Sequence, residues 1–282
     1  MIKQGSNTLF NISEVKAIKP ACYFSFDGIN CRDFGLRLLT FGTPAGTEEQ
    51  SSPTFDILED RSLRKVSPFH YGIDQTSPLS FELTFGSTEP IMRPKISDIS
   101  AWLTGHQQYK WLEIHRDDLE HVRYKAIITH LEPTVLNGDV FGFRAAVQCD
   151  CHLAHGYPET FTCKADGTNE FRIVNSGSYN GYIYPFTEVL LKAGSTSFSV
   201  INESDKNREF CIQLPQPLGI DATFKIDNGC FVAQCDAAQI TNVYECIKGY
   251  REFRLVRGIN DLKITGDGSI KNTCEFLYCV GY

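Results

Sequence analysis

Cys149, Cys151, His152, His155 and Cys163 carry the donors that a tetrahedral zinc centre uses, thiolate sulfur and imidazole nitrogen. Their spacing argues otherwise. C-x-C-H-x-x-H matches no finger or ribbon pattern, and no C-x-x-C accompanies it. Cys149 and Cys151 share a strand face with Val147, where a thiol serves as a small core hydrophobe. No metal ligand is therefore expected. A second cluster, His115, Asp117, Asp118, Glu120 and His121, places carboxylates beside imidazoles, a combination suited to acid–base work and, as paired carboxylates, to glycoside hydrolysis. The stretch 116–121 reads as a polar turn between two apolar strands, and charged residues belong there for solvation and turn geometry. G-x-x-x-x-G-K-[ST], G-x-S-x-G, H-E-x-x-H and G-x-G-x-x-G are all absent. No enzyme, catalytic residue or cofactor is expected.

The elements around these clusters follow from periodicity. Pro94 opens a helix, because its missing N–H costs nothing in the first turn. Ile96, Ile99, Trp102 and Leu103 form its apolar face, and Gly105 is expected to stop it by accepting positive φ. Strands are expected over 109–115, 123–131 and 140–150, with Asn137-Gly138 as a type I′ hairpin turn. Phe141, Phe143, Ala145, Val147 and Cys149 alternate onto one face of the last of these. Upstream, strands are expected over 23–26, 31–39 and 79–85. Between them, residues 42–78 carry prolines and polar residues, with short strand-like pieces only at 54–58 and 63–66. Residues 1–19 read as an arm or an extra strand. After a break at 149–158 the pattern becomes short strands and turns, expected at 170–174, 185–192, 195–201, 208–214, 222–227, 230–234, 242–247, 251–256, 260–265 and 273–280. The expected fold is mainly β. An α+β domain over 1–155, a meander with one helix and an extended hairpin, precedes an all-β sandwich over 156–282.

Several stretches resemble the distal tail protein (Dit) family of siphophages. "FSFDGINCRDFGLRLL" (24–39) is similar to that family's opening. The helix ending in Trp102-Leu103, the Asp117-Asp118 turn and "YKAII" (124–128) follow in the family's order, and "FRLVRGINDLKITGDGS" (253–269) resembles its penultimate C-terminal hairpin. The resemblance spans roughly residues 20–282. It implies a galectin-like C-terminal domain and a belt hairpin over about 42–78 that reaches a neighbouring subunit, although the family's Gly-Arg-Asp-Gly-like belt turn is absent here. It implies a homo-hexameric ring at the tail tip, with contacts expected from Phe55, Ile57, Leu58, Asp60, Arg61 and Leu63 of the belt and from Tyr109 and Trp111 at the meander edge. The implied partners are the tail-tube protein, a tail-associated lysin or fibre protein, and the tape measure protein. The implied location is the virion's tail tip, after assembly in the host cytoplasm. The alternative reading is a carbohydrate-binding adhesin, with Tyr179, Tyr182 and Tyr184 as stacking residues. Against it, no His or Trp follows His155, so the galectin sugar motif is missing.

Composition by itself indicates only a soluble, β-rich, two-domain protein. A formal net charge of −7 disfavours gripping phosphate backbones, while acidic walls would let DNA pass through a conduit without sticking. No run of about 18 apolar residues predicts a membrane span. The start has no apolar signal-like region, so the 11 cysteines are expected as reduced thiols.

Overall fold

The computed structural model describes residues 23–42, 54–58, 69–74 and 78–279. Strands dominate, and the buried residues form two clusters, one within residues 24–154 and one within 165–276.

The first sheet begins with β1 (Phe24–Phe26) and β2 (Ile29–Asn30), joined by a tight turn at Asp27-Gly28. A continuous strand was expected over 31–39, but Cys31–Phe34 forms a 3₁₀ turn and only β3 (Arg37–Gly42) is extended. The cause is a capping box: the Asn30 side chain accepts from the Arg32 N–H at 3.0 Å, and Asp33 accepts from the Asn30 N–H. β4 (Thr54–Leu58) and β5 (Phe69–Asp74) pair antiparallel as a separate two-stranded ribbon. The first expected strand piece of the belt is thus where the sequence placed it. The second expected piece, 63–66, lies outside the described residues, as does the arm over 1–19.

β6 (Ser80–Gly86) returns to the sheet, followed by α1 (Arg93–Thr104), β7 (Lys110–Ile114), β8 (Val122–Leu136) and β9 (Asp139–Cys149). The sheet order is β2-β1-β7-β8-β9-β6-β3. Asn137 and Gly138 both have positive φ, 52° and 90°, as the hairpin between β8 and β9 requires. Phe143, Ala145, Val147 and Cys149 are buried on one face of β9, and α1 covers that layer with Ile99, Trp102 and Leu103. Trp102 stacks against Phe24 and Phe34, and its indole N–H donates to the Phe26 carbonyl at 2.9 Å. Gly105 caps the helix, but not through the positive φ expected. Its φ is −72°, an ordinary helical value, but a β-carbon there would stand 2.4 Å from the Ala101 carbonyl oxygen.

Beyond β10 (Leu153–Gly156), the second core is built on β11 (Glu159–Asn175), β12 (Phe186–Leu191), β13 (Ser197–Asn202), β14 (Arg208–Gln213), β15 (Ala222–Asp227), β16 (Val232–Cys235), β17 (Gly258–Cys274) and β18 (Leu277–Cys279). β11 pairs with β17 along its whole length. The other edge of β17 is shared, with β13 against Leu262–Gly266 and β12 against Gly268–Thr273. β14 extends one end of this arrangement, and β15 with β16 the other.

Four expectations fail in this half, one being the strand over 273–280, which is broken at 275–276 between β17 and β18. Residues 242–247 form a 3₁₀ turn, Val243–Cys246, because the Asn242 side chain caps it by accepting the Tyr244 N–H. Residues 251–256 are not a strand beyond one bridge between Leu255 and Ile183. Two amides there are taken by side chains: Phe253 N–H donates to Asn228 Oδ1 at 2.7 Å and Val256 N–H to Asn260 Oδ1 at 2.9 Å. The strand expected at 260–265 does not end at Asp267-Gly268 but runs on to Cys274, since Asp166-Gly167 pairs across from Asp267-Gly266.

Candidate functional site

A cluster of metal-ligating and titratable side chains lies between the two cores. β10, in the stretch where periodicity broke, pairs with β8 through His155 and Arg123 and with β18 through Leu153 and Cys279. The loop before it is held by backbone bonds, Asp150 N–H to the Lys125 carbonyl at 2.9 Å and Leu79 N–H to the Cys151 carbonyl at 3.0 Å. This places Asp150, Cys151 and His155 together, their donor atoms all within 4.8 Å of one another.

His155 is the centre of the group. Its Nε2 lies 3.4 Å from Asp150 Oδ1 and 3.7 Å from Cys151 Sγ, and its Nδ1 lies 3.7 Å from Glu275 Oε2. Arg123 donates to Glu275 Oε1 at 2.9 Å and spreads its guanidinium 3.6 Å over the Trp111 ring, which meets His155 edge-on. Burial alone would make His155 less basic, but hydrogen bonding to Asp150 and Cys151 outweighs it and raises the pKa to about 9. Burial likewise opposes ionisation of Asp150, and the His155 hydrogen bond overcomes it, holding the carboxyl below its usual range. The group therefore holds a proton on the imidazole, stabilised by the carboxylate beside it.

Only two of the five sequence-level metal candidates meet here. Cys149 is fully buried in the first core, and burial pushes its thiol up. His152 turns to Tyr179, and the Cys163 thiol donates to the neighbouring Lys164 carbonyl. Cys151 was expected on the core face of β9, but that strand ends at Cys149 and the following bend turns Cys151 towards His155. Asp150 and Glu275 were missed. Asp150 could have been found from its place directly before Cys151; nothing in the sequence pointed to Glu275, 120 positions from His155.

The acid–base cluster is not assembled. His115 bonds to Ser25 Oγ at 2.5 Å, packs at a tilt against Tyr23, and burial makes it less basic. Asp118 is held by Arg116 within the turn, and His121 meets Tyr278 edge-on. Among the stacking candidates, Tyr182 and Tyr184 are exposed and Tyr179 is half-buried. The Tyr182 ring is covered by the Arg254 guanidinium at 3.6 Å, which Asp205 in turn holds at 2.7 Å. A groove of about 450 Å³ lined by Gln213, Pro215, Gln239, Asn242 and Glu245 has no aromatic ring in its lining. Of the ring-contact candidates, Tyr109 is exposed and Trp111 is half-buried under Arg123. Phe55, Ile57 and Leu58 lie on β4; Asp60, Arg61 and Leu63 fall outside the described residues. No described helix is long and apolar enough to cross a membrane.

Residues 19–151 match the family model described as a phage tail protein N-terminal domain. No curated protein matches the sequence. Among solved structures, the fold is similar to that of SPP1 Dit, described as a paradigm of the hub adsorption apparatus in phages infecting Gram-positive bacteria. The TM-score is 0.64 at 10% identity, over 90% of this chain and 98% of that one. The resemblance to distal tail proteins expected from the sequence is borne out.

Proposed function

We propose that this chain, which carries a phage tail protein N-terminal domain, is a structural hub at the distal end of a long non-contractile tail. It would form a hexameric ring joining the tail tube to the tip and its receptor-binding apparatus. One observation carries the reading beyond fold likeness. Among the described residues, the main path of the first sheet ends in two different open strands, β2 and β3, with Ile29 and Leu39 exposed on them, a side branch through β10 ends at β18, and the β4–β5 ribbon stands outside that sheet. Two different edges on one subunit suit a head-to-tail contact, and such a contact closes into a ring when its rotation divides a full turn. A ribbon crossing onto the neighbour would enlarge the buried area towards obligate size, above about 2,000 Å².

In this reading residues 1–155 form the ring, and residues 156–282, a galectin-like sandwich, face outward. Phe55, Ile57, Leu58, Asp60, Arg61 and Leu63 act from the belt and Tyr109 and Trp111 from the meander edge. The tail-tube protein, a tail-associated lysin or fibre protein and the tape measure protein are the partners. DNA crosses the channel without specific binding, and the ring is assembled in the host cytoplasm. The chain has no enzymatic role.

Removal of residues 43–77 tests this. Gly42 pairs with Glu82 across β3 and β6, so a short Gly/Ser linker can close the gap without disturbing the sheet. The full chain is expected to run at a multi-subunit native mass and the shortened one as a monomer whose far-UV spectrum differs only by the loss of the two ribbon strands. A shortened chain that keeps the full assembly would remove the belt from the mechanism.

A further inference from the structure

We propose that Asp150, Cys151 and His155 form a binding site for a divalent transition metal of borderline softness, with zinc the best fit, between the two cores. The donor set is one carboxylate, one thiolate and one imidazole, all zinc ligands. The spacing agrees. Zn–S, Zn–N and Zn–O bonds at tetrahedral angles separate sulfur from nitrogen by about 3.6 Å and nitrogen from oxygen by about 3.4 Å. The Cys151 Sγ to His155 Nε2 distance is 3.7 Å, and His155 Nε2 to Asp150 Oδ1 is 3.4 Å. Three protein ligands leave the fourth position to water.

The surroundings have the form of an outer shell. A metal-bound imidazole is usually oriented by a carboxylate on its other nitrogen. Glu275 approaches His155 Nδ1 on that side, and Arg123 holds Glu275 in turn. The ligand loop is fixed by its backbone bonds to Lys125 and Leu79, so little ordering is left for the metal to impose. The three side chains are only partly buried, which leaves an entry path. On binding, the Cys151 thiol, which donates to the Leu153 carbonyl, and the protonated His155 imidazole each give one proton to solvent, and the sulfur and Nε2 take the metal. Because Glu275 belongs to the segment between β17 and β18, fixing the His155 ring on the metal would also fix its contact with that segment. None of this depends on ring assembly.

The test uses the tag-free full chain, stripped with chelator and titrated with Zn²⁺ against a chromogenic chelator, and separately with Co²⁺. One Zn²⁺ per chain is expected to bind more tightly than to the scattered remaining thiols, and Co²⁺ to give a thiolate-to-metal charge-transfer band. Cys151→Ser should abolish the band, and Cys151→Ser, His155→Gln and Asp150→Asn should each weaken Zn²⁺ binding at least about tenfold. His152→Gln, whose ring faces Tyr179, should change neither. Circular dichroism without metal identifies any variant that fails to fold, and the remaining ones decide. The absence of a stoichiometric site, a charge-transfer band that survives Cys151→Ser, or equal loss in His152→Gln would overturn the proposal.

Discussion

Trp102→Ala is expected to destabilise the first core by about 4 kcal/mol, the range for removing a large buried aromatic. Trp102 is 5% exposed and is the meeting point of the helix with the start of the chain's first sheet. Its ring stacks on Phe34 at 4.8 Å and on Phe24 at 5.7 Å, and its N–H satisfies the Phe26 carbonyl. Truncation loses both stacks, opens a cavity beneath α1 and removes that carbonyl's indole donor. A fall of roughly 10 °C in the first-core transition should follow. Trp102→Phe separates the contributions in part, since it keeps an aromatic ring in the stack while losing the donor and the second ring; it should cost less than Trp102→Ala, about 2 kcal/mol. Denaturant melts followed by far-UV circular dichroism give both numbers. Equal effects for the two variants would mean that the hydrogen bond, not the packing, holds the helix down.

Gly268→Ala should be comparably damaging to the second core, by roughly 4 kcal/mol from backbone strain and forced displacement together. Gly268 has φ of 157° and lies where β17 passes from β13 to β12. A β-carbon there would stand 2.0 Å from the Leu190 carbonyl oxygen, a backbone atom that can move only if β12 moves. β12 joins β17 to β15, so the displacement propagates into the Val189, Leu191, Ala222 and Phe224 layer. Gly194→Ala provides the comparison. Its φ is also positive, at 87°, but nothing lies within 4 Å of the added carbon, so only the modest conformational cost of about 1 kcal/mol is expected. Similar melting curves for the two variants would show that β12 yields easily.

These two positions mark the limits of what was legible in the sequence. Around Trp102 the signals were local and agreed with one another. Helical spacing set Ile99, Trp102 and Leu103 on one face, Asn137-Gly138 set the hairpin, and strict alternation set the buried face of β9. Around Gly268 local chemistry misled. Asp267-Gly268 has turn composition, but pairing with β11 along 17 residues keeps the segment extended, and that partner lies about a hundred positions away. The same conflict explains residues 251–256. Phe253 and Leu255 alternate like strand residues and are buried, yet Asn228 and Asn260 take the amides that a neighbouring strand would have used. At 31–34 an Asn-x-x-Asp cap overrode an apolar alternation.

The polar group between the cores was half legible. Cys151 and His155 stood out by type, but the rigid finger spacings set them aside. What brings them together is the end of β9 at Cys149 and the pairing of β10 with β8, neither of which leaves a periodic trace in four residues. Glu275 and Arg123, 152 positions apart, meet only because β18 and β8 flank the same short strand.

The central claim is that this chain closes into a ring. The most direct measurement is the native mass of the purified full chain together with its negative-stain image. Six-subunit rings with a central hole are the expected result. A monomer at micromolar concentration that stays monomeric when the tail-tube protein is added would contradict it.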